Sequence, residues 1–580
     1  MTRVFDDPAA FADEALAGFA AAYPGYVARV DGGVVRAEAT RPGQVAVVIG
    51  GGSGHYPAFA GLVGPGLAMG AVCGKVFASP SAGQAYRVAR AVDSGGGVLF
   101  SYGNYAGDRM QFGQAEQRLR AEGTDARTVL VTDDIASAPV EHMDERRGIA
   151  GDLTVFKVAG SAAESGLGLD AVERLARKAN ARTRTLGVAF TGCTLPGSPG
   201  PLFTVPSGQM SIGLGIHGEP GISDVPMPSA HGLAELLVTR LLGERPEGCT
   251  DRAVVLLNGL GTVKYEELFL LFGKVAAQLA AAGVEIVDVE CGELVTSLDM
   301  SGLSLTLFWT DDELEALWSA PADAPAYHKV PRPPAERRKV IAMEGTATTA
   351  GEPASTASQR LARLAGQALG TAAETVHQHE RELGDLDAVA GDGDHGTGMC
   401  RGADGAAEAA RAAVSRGAGV HELLIAAGDQ WSERAGGTSG ALWSAALIAM
   451  AASLRNRPFY SATDLVEAVT AGRDAMVALG HAEAGDKTVI DAFSPFVEML
   501  SQEIAQGSAA APALRASAVA ATTAAAATAG LRPRKGRARP LADRSVGTPD
   551  PGAVSLALIA TALADKAGVW ASDFGRSGPE

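Results

Sequence analysis

The spacing of apolar residues predicts that the chain begins with a helix and continues as alternating helices and strands. Phe11, Ala12, Ala15, Leu16 and Phe19 recur at helical spacing. Short apolar runs bounded by Gly, Asp or Thr follow, as buried strands of an α/β sheet would. In such sheets ligands gather beyond the carboxyl ends of the strands. The predicted strands are Val45 to Ile49, Val98 to Tyr102, Thr128 to Thr132 and Leu186 to Phe190.

A change of pattern divides the chain. Between about Pro321 and Ser358 the periodicity gives way to Pro, Ala, Thr, Glu and Arg, which is typical of an interdomain linker. Beyond it, segments such as Leu361 to Glu382 and Ala509 to Ala529 are long, periodic and rich in Ala, Leu and Glu. These segments predict an all-α second domain. The predicted boundaries are 1–330 for the α/β domain, 331–357 for the linker and 358–580 for the helical domain.

Length, charge and cysteine content narrow the class of protein. With 580 residues, 47% of them hydrophobic, the chain can fill more than one core. The formal net charge of -17 argues against nonspecific nucleic-acid binding, which needs clustered Lys and Arg. Five scattered cysteines without metal-ligand spacing fit a reducing cytoplasm. The acidic N-terminus does not resemble a secretory signal, and we expect no uncharged apolar stretch of membrane-spanning length.

The strongest local signal is an acidic, glycine-rich segment at 384–396, which reads Gly-Asp-Leu-Asp-Ala-Val-Ala-Gly-Asp-Gly-Asp-His-Gly. Hard carboxylate oxygens at short spacing suit Mg²⁺ that bridges nucleotide phosphates, whereas the alternative is a solvated acidic loop. Its downstream neighbours favour the first interpretation. Gly-Gly-Thr-Ser-Gly at 436–440 predicts a nest of backbone N–H groups for phosphate. Gly-Asp-Lys-Thr at 485–488 and Gly-Thr-Pro-Asp-Pro-Gly at 547–552 follow.

Two common nucleotide motifs are excluded. The pattern GxGxxG occurs at 213–218 and at 391–396, but neither copy has the strand, turn and helix context with a later ribose-binding acid. The pair Gly74-Lys75 is followed by Val76 and lacks the upstream glycine of a P-loop. The sequence therefore predicts neither a Rossmann fold nor a P-loop.

In this order, the four motifs of the second half resemble the nucleotide-binding domain of dihydroxyacetone kinases. The first half independently resembles the substrate domain of that family. It carries Gly-Gly-Gly-Ser-Gly-His at 50–55, Asn-Tyr-Ala-Gly-Asp at 104–108 and Gly-Leu-Gly-Ile-His-Gly-Glu at 213–219. The resemblance covers nearly the whole chain outside the linker. It implies an α/β substrate domain made of two α/β subdomains, and an all-α helical barrel that holds ATP through two Mg²⁺ ions.

The resemblance also implies roles in the substrate domain. His217 corresponds to the histidine that adds to the ketone carbon of the substrate as a hemiaminal, while His55 and Asp108 flank the hydroxyl to be phosphorylated. A neutral imidazole can attack a carbonyl, so this link selects open-chain ketones over polyols such as glycerol. Asp108 could accept the proton of the hydroxyl, with His55 assisting. The implied substrate-binding residues are Gly52, Ser53, Gly54, His55, Asp108 and His217.

In the helical domain, Asp387, Asp392 and Asp394 match the metal-binding aspartates of the family, whereas Asp385 has no clear counterpart. Phosphoryl transfer needs mainly positioning and neutralisation of charge, which metal ions and backbone donors supply. The implied ATP contacts are His395, Thr397, Gly437, Thr438, Ser439, Asp486, Lys487, Arg537, Asp550 and Gly552. A lone basic residue such as Lys487 or Arg537 is more often a solvated surface group.

Two departures from the family pattern bear on the substrate. Tyr56 stands where the family commonly has Glu, and Gly103 stands where it commonly has Lys. Both changes are expected to surround the sugar, and the loss of Lys is expected to open volume. They favour a ketose one carbon longer than dihydroxyacetone, and the pattern is closest to erythrulose kinases that phosphorylate O4 of the D-enantiomer.

Other interpretations remain open at this point. They are a dihydroxyacetone kinase, a kinase fed by a sugar phosphotransferase relay, a non-catalytic ketose-sensing regulator, and a side activity that cleaves FAD to a cyclic flavin phosphate. The fused domains favour free ATP as the phosphoryl donor. The expected partners are a ketose, ATP and a second copy of the chain in a homodimer, with no nucleic acid and no membrane.

Overall fold

The structure is a computed structural model that describes residues 2–330, 353–536 and 538–575, with side chains up to residue 568. The predicted linker, 331–357, lies outside the described residues except for 353–357. The chain divides into two compact units, residues 1–337 and 338–580. Each unit is described by itself below.

The first unit begins with a mixed six-stranded sheet. Its strands are β1 (Val27–Val30), β2 (Gly33–Arg36), β3 (Ala46–Ser53), β4 (Gly70–Val76), β5 (Val98–Gly103) and β6 (Ala126–Val131). They are arranged in the order β1-β2-β4-β3-β5-β6, in which β4, β3, β5 and β6 run parallel. Strands β3 and β5 are almost entirely buried, as expected of parallel strands covered on both faces.

Helices cover this sheet. They are α1 (Phe11–Ala22), α2 (Ala82–Val92), α3 (Ala106–Ala121), α4 (Asp152–Glu164) and α5 (Leu169–Ala181). Helix α2 begins with a capping box, because the Ser81 hydroxyl accepts from the backbone N–H of Gln84 and the Gln84 side chain accepts from the backbone N–H of Ser81. Helix α4 is buried along nearly its whole length.

A second six-stranded sheet completes the first unit. Its strands are β7 (Thr183–Ala189), β8 (Gln209–Ile212), β9 (Ser223–Pro226), β10 (Arg252–Gly259), β11 (Glu285–Gly292) and β12 (Gly302–Trp309). They follow the order β11-β10-β12-β7-β8-β9, and only β10 and β11 pair in parallel. The other elements are α6 (Ala230–Gly243), α7 (Tyr265–Ala281), α8 (Asp312–Ser319) and the hairpin β13 (Ala322–Ala324) with β14 (Tyr327–Lys329).

One apolar cluster joins the two sheets of this unit. Phe156 of α4 belongs to the same buried cluster as Val47 and Ile49 of β3 and as Val254 and Leu256 of β10. Because buried apolar groups are close-packed, this shared core holds the two sheets in one fixed arrangement. Loops from both sheets can therefore contribute side chains to a single site.

The described residues of the second unit are helical. The helices are α9 (Thr356–Gln378), α10 (Glu380–Ala388), α11 (His395–Ser415), α12 (Val420–Ala435), α13 (Gly437–Leu454), α14 (Ala462–Gly480), α15 (Ile490–Ala505), α16 (Ala510–Ala527), α17 (Ala542–Ser545) and α18 (Pro551–Gly575). Eight of them contact their neighbours in the closed order α9, α11, α12, α13, α14, α15, α16, α18 and back to α9. Many buried positions are Ala, which lets adjacent helices approach closely.

The predicted fold classes are confirmed, with local differences. Strand β3 continues through residues 50–53, beyond the predicted strand end at Ile49, because Gly50 and Gly51 still pair with Val72 and Cys73 of β4. The predicted helix from Leu361 to Glu382 is broken at His379, where α9 ends and α10 begins. Neither excluded GxGxxG copy connects a strand to a helix: 213–218 lies between two strands, and 391–396 follows a helix.

The expectation about membrane-spanning length was wrong for one helix. Helix α13 is uncharged over 18 residues and has a mean hydropathy of 1.3. By length and composition alone, it is long and apolar enough to cross a membrane. In the structure α13 packs between α12 and α14 in the helical ring. A third of this apolar stretch is buried.

Candidate functional site

The first cluster of polar side chains forms where strands of the first unit end. His55 lies two residues beyond β3, and Asp108 lies in the first turn of α3, directly after β5. Since β3 and β5 are parallel neighbours, their carboxyl ends share one edge of the sheet. His217 comes from the second sheet, in the loop between β8 and β9. The fold brings residues from three distant segments to one place.

Two histidines face each other at the centre of this cluster. The Nε2 atoms of His55 and His217 lie 3.0 Å apart, and the rings meet edge to face. Nδ1 of His55 is 2.7 Å from the carbonyl oxygen of Thr296. Nδ1 of His217 is 2.9 Å from a carboxylate oxygen of Glu219. His55 is buried, whereas the His217 side chain keeps 23% of its surface exposed, so His217 is the one that a ligand can reach.

The partners of this histidine pair determine where its protons lie. The Thr296 carbonyl and the Glu219 carboxylate can only accept, so both Nδ1 atoms carry hydrogen. A hydrogen bond between the two Nε2 atoms then needs one additional proton. Burial above all, and then the charge of His217, lower the pKa of His55 to about 3. This low pKa favours the neutral form of His55.

Glu219 anchors His217 through two contacts. One carboxylate oxygen accepts from the His217 ring, and the other accepts from its backbone N–H at 3.1 Å. Burial would raise the pKa of Glu219, but the hydrogen bond and the charge of His217 lower it to about 2. Arg147 lies 3.8 Å from Glu219 and 2.8 Å from Asp134, which extends the charge network behind the ring.

Aromatic rings enclose the histidine pair. Phe77 stacks on His55 with ring centroids 5.1 Å apart, and its edge meets His217 at 5.2 Å. Tyr105 meets His217 edge to face at 4.9 Å. Phe77 holds this position with a φ of 53°, a conformation that non-glycine residues rarely adopt. The rings exclude water from one side of His217 and strengthen its polar contacts.

Asp108 supplies a carboxylate with a raised pKa. Burial raises the pKa of Asp108 to about 6, although a hydrogen bond from Ser79 and the charge of His217 act in the opposite direction. Its Oδ1 atom is buried and makes no hydrogen bond within the described part of the chain. A carboxylate with this pKa is ionised at neutral pH and can accept a proton from a bound group.

The glycine-rich residues before His55 serve mainly the backbone. The Ser53 hydroxyl donates to the carbonyl of Gly74 at 2.6 Å, so it is engaged within the protein. A Cβ at Gly52 would lie 2.8 Å from the backbone nitrogen of Ala78, and a Cβ at Gly54 would lie 2.8 Å from the Phe77 ring. Because Gly52 and Gly54 have no side chains, the end of β3 and the residues at Phe77 and Ala78 can approach each other closely next to His55.

Tyr56 and Gly103 are predicted to surround the sugar, and both have close neighbours within the protein. The ring of Tyr56 packs against Phe19 of α1 at a centroid distance of 5.9 Å and is 46% exposed. A Cβ at Gly103 would lie 3.1 Å from both the Gly148 carbonyl oxygen and the Tyr105 ring. Neighbouring groups therefore lie close to position 103. Tyr56 and Gly103 do not by themselves support a ketose longer than dihydroxyacetone.

The second cluster lies at the end of α10, which contains Asp387, and in the segment before α11, which contains Asp392 and Asp394. Ligand oxygens of Asp387, Asp392 and Asp394 all come within 4.8 Å of one another. Asp387 also accepts from the backbone N–H of Gly393 at 2.9 Å, which folds the loop back on the end of α10. Gly393 adopts a φ of 79°, which a residue with a side chain rarely does. Asp385 lies apart, with its side chain 76% exposed and 3.7 Å from Arg381.

This donor set fits Mg²⁺. It consists only of carboxylate oxygens, the hard ligands that Mg²⁺ prefers. Two of the three side chains are exposed, so bound ions could keep water molecules and meet phosphate oxygens. The three aspartates would hold the ions, and the backbone N–H of Gly393 already fixes Asp387.

The implied nucleotide contacts fall in three groups. His395 and Thr397 lie in the first turn of α11, and the His395 ring is 3.1 Å from the Ser555 hydroxyl of α18. Burial lowers the pKa of His395 and favours its neutral form. Gly437, Thr438 and Ser439 form the first turn of α13, where backbone N–H groups remain available for an anion.

The third group is built around Lys487. Its ammonium donates to the carbonyl of Ser545 at 2.6 Å and to that of Leu531 at 3.2 Å, so it ties the segment before α18 in place. Asp486 is buried and accepts from the backbone N–H of Glu483. Burial raises the pKa of Asp550 to about 7, with Asp491 adding to the effect. Gly552 follows in the first turn of α18, and Arg537 lies outside the described residues.

Sequence reasoning did not assign several residues that build the first cluster. Glu219 and Tyr105 lie inside recognised motifs, so the sequence alone could have indicated that each of them belongs to the site. Phe77, Thr296 and Ser79 lie in no motif and reach the site only through folding. Thr296, for example, is 241 residues from its partner His55.

Comparisons with known proteins match both units. A Dak1 domain model matches residues 17–326, and a DAK2 domain model matches residues 389–565. The chain is 54% identical to the D-erythrulose kinase of Mycolicibacterium smegmatis, with 97% of this chain and 98% of that protein covered. It is 51% identical to the L-erythrulose kinase of Pectobacterium atrosepticum, with 97% and 96% covered. The crystal structure of the C. freundii dihydroxyacetone kinase with AMP-PNP and Mg²⁺ matches with 31% identity, a TM-score of 0.62 and coverage of 97% and 99%.

Replacement of Gly218 should destabilise the loop that carries His217. Gly218 adopts a φ of 85°, and a Cβ there would overlap the Phe203 ring. We expect Gly218→Ala to lower the free energy of unfolding by about 2–4 kcal/mol, from backbone strain and overpacking together. Gly43→Ala is the control, since Gly43 has a φ of 75° but nothing within 4 Å of the added Cβ. Urea unfolding measures both variants, and equal losses would contradict the packing role of Gly218.

Proposed function

Since the chain belongs to the dihydroxyacetone kinase family, with a Dak1 and a DAK2 domain, we propose that it phosphorylates a short ketose with ATP. The ketose that we propose is D-erythrulose, and the product is D-erythrulose 4-phosphate. The observation that carries the proposal is the cluster of His217, His55 and Asp108. It combines a partly exposed imidazole with a carboxylate of raised pKa in one enclosed site.

The first step is capture of the ketone by His217. Glu219 holds Nδ1 of the ring, so Nε2 is the nitrogen that forms a bond to the carbonyl carbon. The proton shared between His217 and His55 moves to the carbonyl oxygen as that bond forms. The ring keeps its Nδ1 proton, so the positive charge of the hemiaminal stays on the ring beside the carboxylate of Glu219. This link requires a carbonyl group, and it explains selection of a ketose over a polyol.

The second step is activation of the hydroxyl that receives the phosphoryl group. Asp108 accepts its proton through the buried Oδ1 atom, which is ionised above pH 6. The tether at His217 reduces the freedom of the sugar and keeps the hydroxyl near this base. When bound, Mg²⁺ and ATP supply the phosphoryl group and neutralise charge on it. Asp387, Asp392 and Asp394 would hold the metal.

Similarity to relatives supports erythrulose as the ketose. The two proteins named above are erythrulose kinases that match this chain over nearly its full length at more than half identity. The C. freundii relative with dihydroxyacetone in its name is more distant, at 31% identity. The two erythrulose kinases act on opposite enantiomers, so the choice of the D-enantiomer is the part that most needs measurement.

A substrate comparison tests the proposal directly. We expect kcat/KM with ATP and Mg²⁺ to be highest for D-erythrulose, lower for L-erythrulose and dihydroxyacetone, and negligible for glycerol. Phosphorus–carbon coupling in the NMR spectrum of the product should locate the phosphate on O4. A clear preference for dihydroxyacetone would overturn the choice of substrate, and no ATP consumption with any ketose would favour a ketose-sensing regulator.

Asp108→Asn should remove the base. We expect kcat to fall by about 10²–10⁴-fold with only a modest change in KM. In the unaltered enzyme, kcat/KM should fall below about pH 6, because the carboxylate of Asp108 becomes protonated there. Both quantities come from initial rates measured across a pH series.

Ser79→Ala is the matched variant for the pH profile. The Ser79 hydrogen bond lowers the pKa of Asp108, so its removal should move the acid limb to higher pH. This shift distinguishes Asp108 from Asp550, whose pKa of about 7 belongs to the second unit. An acid limb that does not move in Ser79→Ala would assign the titration to another group.

His217→Ala should abolish the covalent capture of the ketone. We expect KM for the ketose to rise by roughly tenfold or more, and the preference for ketose over glycerol to shrink. His142→Ala is the control, because the His142 side chain is 58% exposed and belongs to no part of the site. Unchanged kinetics in His217→Ala would disprove the assigned role.

Asp392→Asn should weaken metal binding. We expect the Mg²⁺ concentration for half-maximal activity to rise by roughly tenfold or more, since a ligand matters at least as much as its outer neighbours. Asp385→Asn provides the control, because Asp385 lies in the same acidic segment but outside the cluster of three. Equal effects of the two substitutions would mean that the segment acts only through its total charge.

A further inference from the structure

A second group of metal-binding side chains lies in the helical unit, apart from the three aspartates. His377 in the last turn of α9, Glu380 at the start of α10 and Cys400 in α11 place one donor atom each within 4.8 Å of one another. Asp404, one helical turn beyond Cys400, has its carboxylate 3.0 Å from Nε2 of His377. Three donors from three helices therefore lie close together, and Asp404 holds the imidazole of His377.

The donor types differ from those of the aspartate cluster. A thiol and an imidazole are ligands of Zn²⁺ and related ions, whereas Mg²⁺ prefers oxygen alone. Cys400 is buried, with 3% of its surface exposed, and its sulfur makes no hydrogen bond among the described residues. His377 and Asp404 are accessible from solvent, which provides a path for an ion.

Each residue has an ordinary explanation on its own. The pair of His377 and Asp404 could be a surface ion pair, which contributes little to stability. Glu380 interacts favourably with the helix dipole at the start of α10. Cys400 could act as a small apolar residue. None of these explanations requires the sulfur, the imidazole and the Glu380 carboxylate to meet in one place.

We propose that His377, Glu380 and Cys400, supported by Asp404, form a binding site for a thiophilic divalent ion of the zinc class. Bonds of about 2.0–2.3 Å to one tetrahedral ion place its ligand atoms roughly 3.3–3.8 Å apart, so the side chains must draw together by about an ångström. Asp404 orients the imidazole, as carboxylates commonly do for metal-binding histidines. Occupancy would connect α9, α10 and α11 on either side of the aspartate loop.

Binding at this site must release a proton. A cysteine thiol ordinarily keeps its proton at neutral pH, and only the thiolate binds an ion. The affinity should increase with pH while the oxygen-only aspartate site changes little.

Cobalt absorption tests the site without reference to kinase activity. The full chain is first saturated with Mg²⁺ to occupy the aspartate cluster, and Co²⁺ is then added to one equivalent. We expect a near-ultraviolet sulfur-to-cobalt charge-transfer band and intense visible bands of tetrahedral Co²⁺, both of which Zn²⁺ abolishes. Absence of the charge-transfer band in the folded protein would overturn the proposal.

Variants identify the ligands. Cys400→Ser should remove the charge-transfer band, whereas Cys249→Ser, a cysteine of the first unit, should leave it intact. Because Cys400 is buried, His377→Ala provides a second variant at an exposed position, and it should weaken Co²⁺ binding by about tenfold or more. Circular dichroism verifies that each variant is folded. A band that survives in Cys400→Ser, or that Cys249→Ser removes, contradicts the assignment.

Discussion

The carboxylate of Glu219 holds the ring of His217 in one orientation, and the chemistry of the first unit depends on that contact. One oxygen accepts from the ring and the other from the backbone N–H of the same residue, so rotation of the ring would break a charge-assisted hydrogen bond. The turn is tight enough that a Cβ at Gly215 would overlap this carboxylate. With Nδ1 engaged, only Nε2 faces His55 and the accessible side of the site.

Burial acts on the charged groups around this contact in opposite directions. Glu219 has a cationic partner, and its pKa falls to about 2 despite its burial. Asp108 is also desolvated but makes no ion pair with any residue that the structure describes, and its pKa rises to about 6. Glu219 therefore stays ionised and supports the ring of His217, while Asp108 can take up a proton near neutral pH. Two groups with separated proton affinities are what acid–base catalysis on a single substrate requires.

In the second unit, a ring of helices with many buried alanines supports two sets of possible metal ligands, and the two sets differ in their donor atoms. Asp387 lies at the end of α10 and closes the following loop through the backbone N–H of Gly393, and the loop contains Asp392 and Asp394. These three aspartates offer oxygen alone. Cys400 and His377 lie further along α11 and at the end of α9, and they offer sulfur and nitrogen. The aspartates would therefore prefer a hard ion, and the sulfur and nitrogen donors would prefer a softer one, although both sets lie within a short length of chain.

Local pattern determined much of this protein: the alternating and helical halves, the aspartate loop, and the motifs that carry His55, Asp108 and His217. These features depend on neighbours in sequence, such as strand ends and glycine turns. Tertiary structure alone decided which side chains remain available. Lys487 is a cation in a promising motif, yet its ammonium is engaged by carbonyls of the 531–545 segment. Thr296 has no motif, yet it sets the tautomer of His55, because a hydrogen bond across 241 residues follows only from the packed fold.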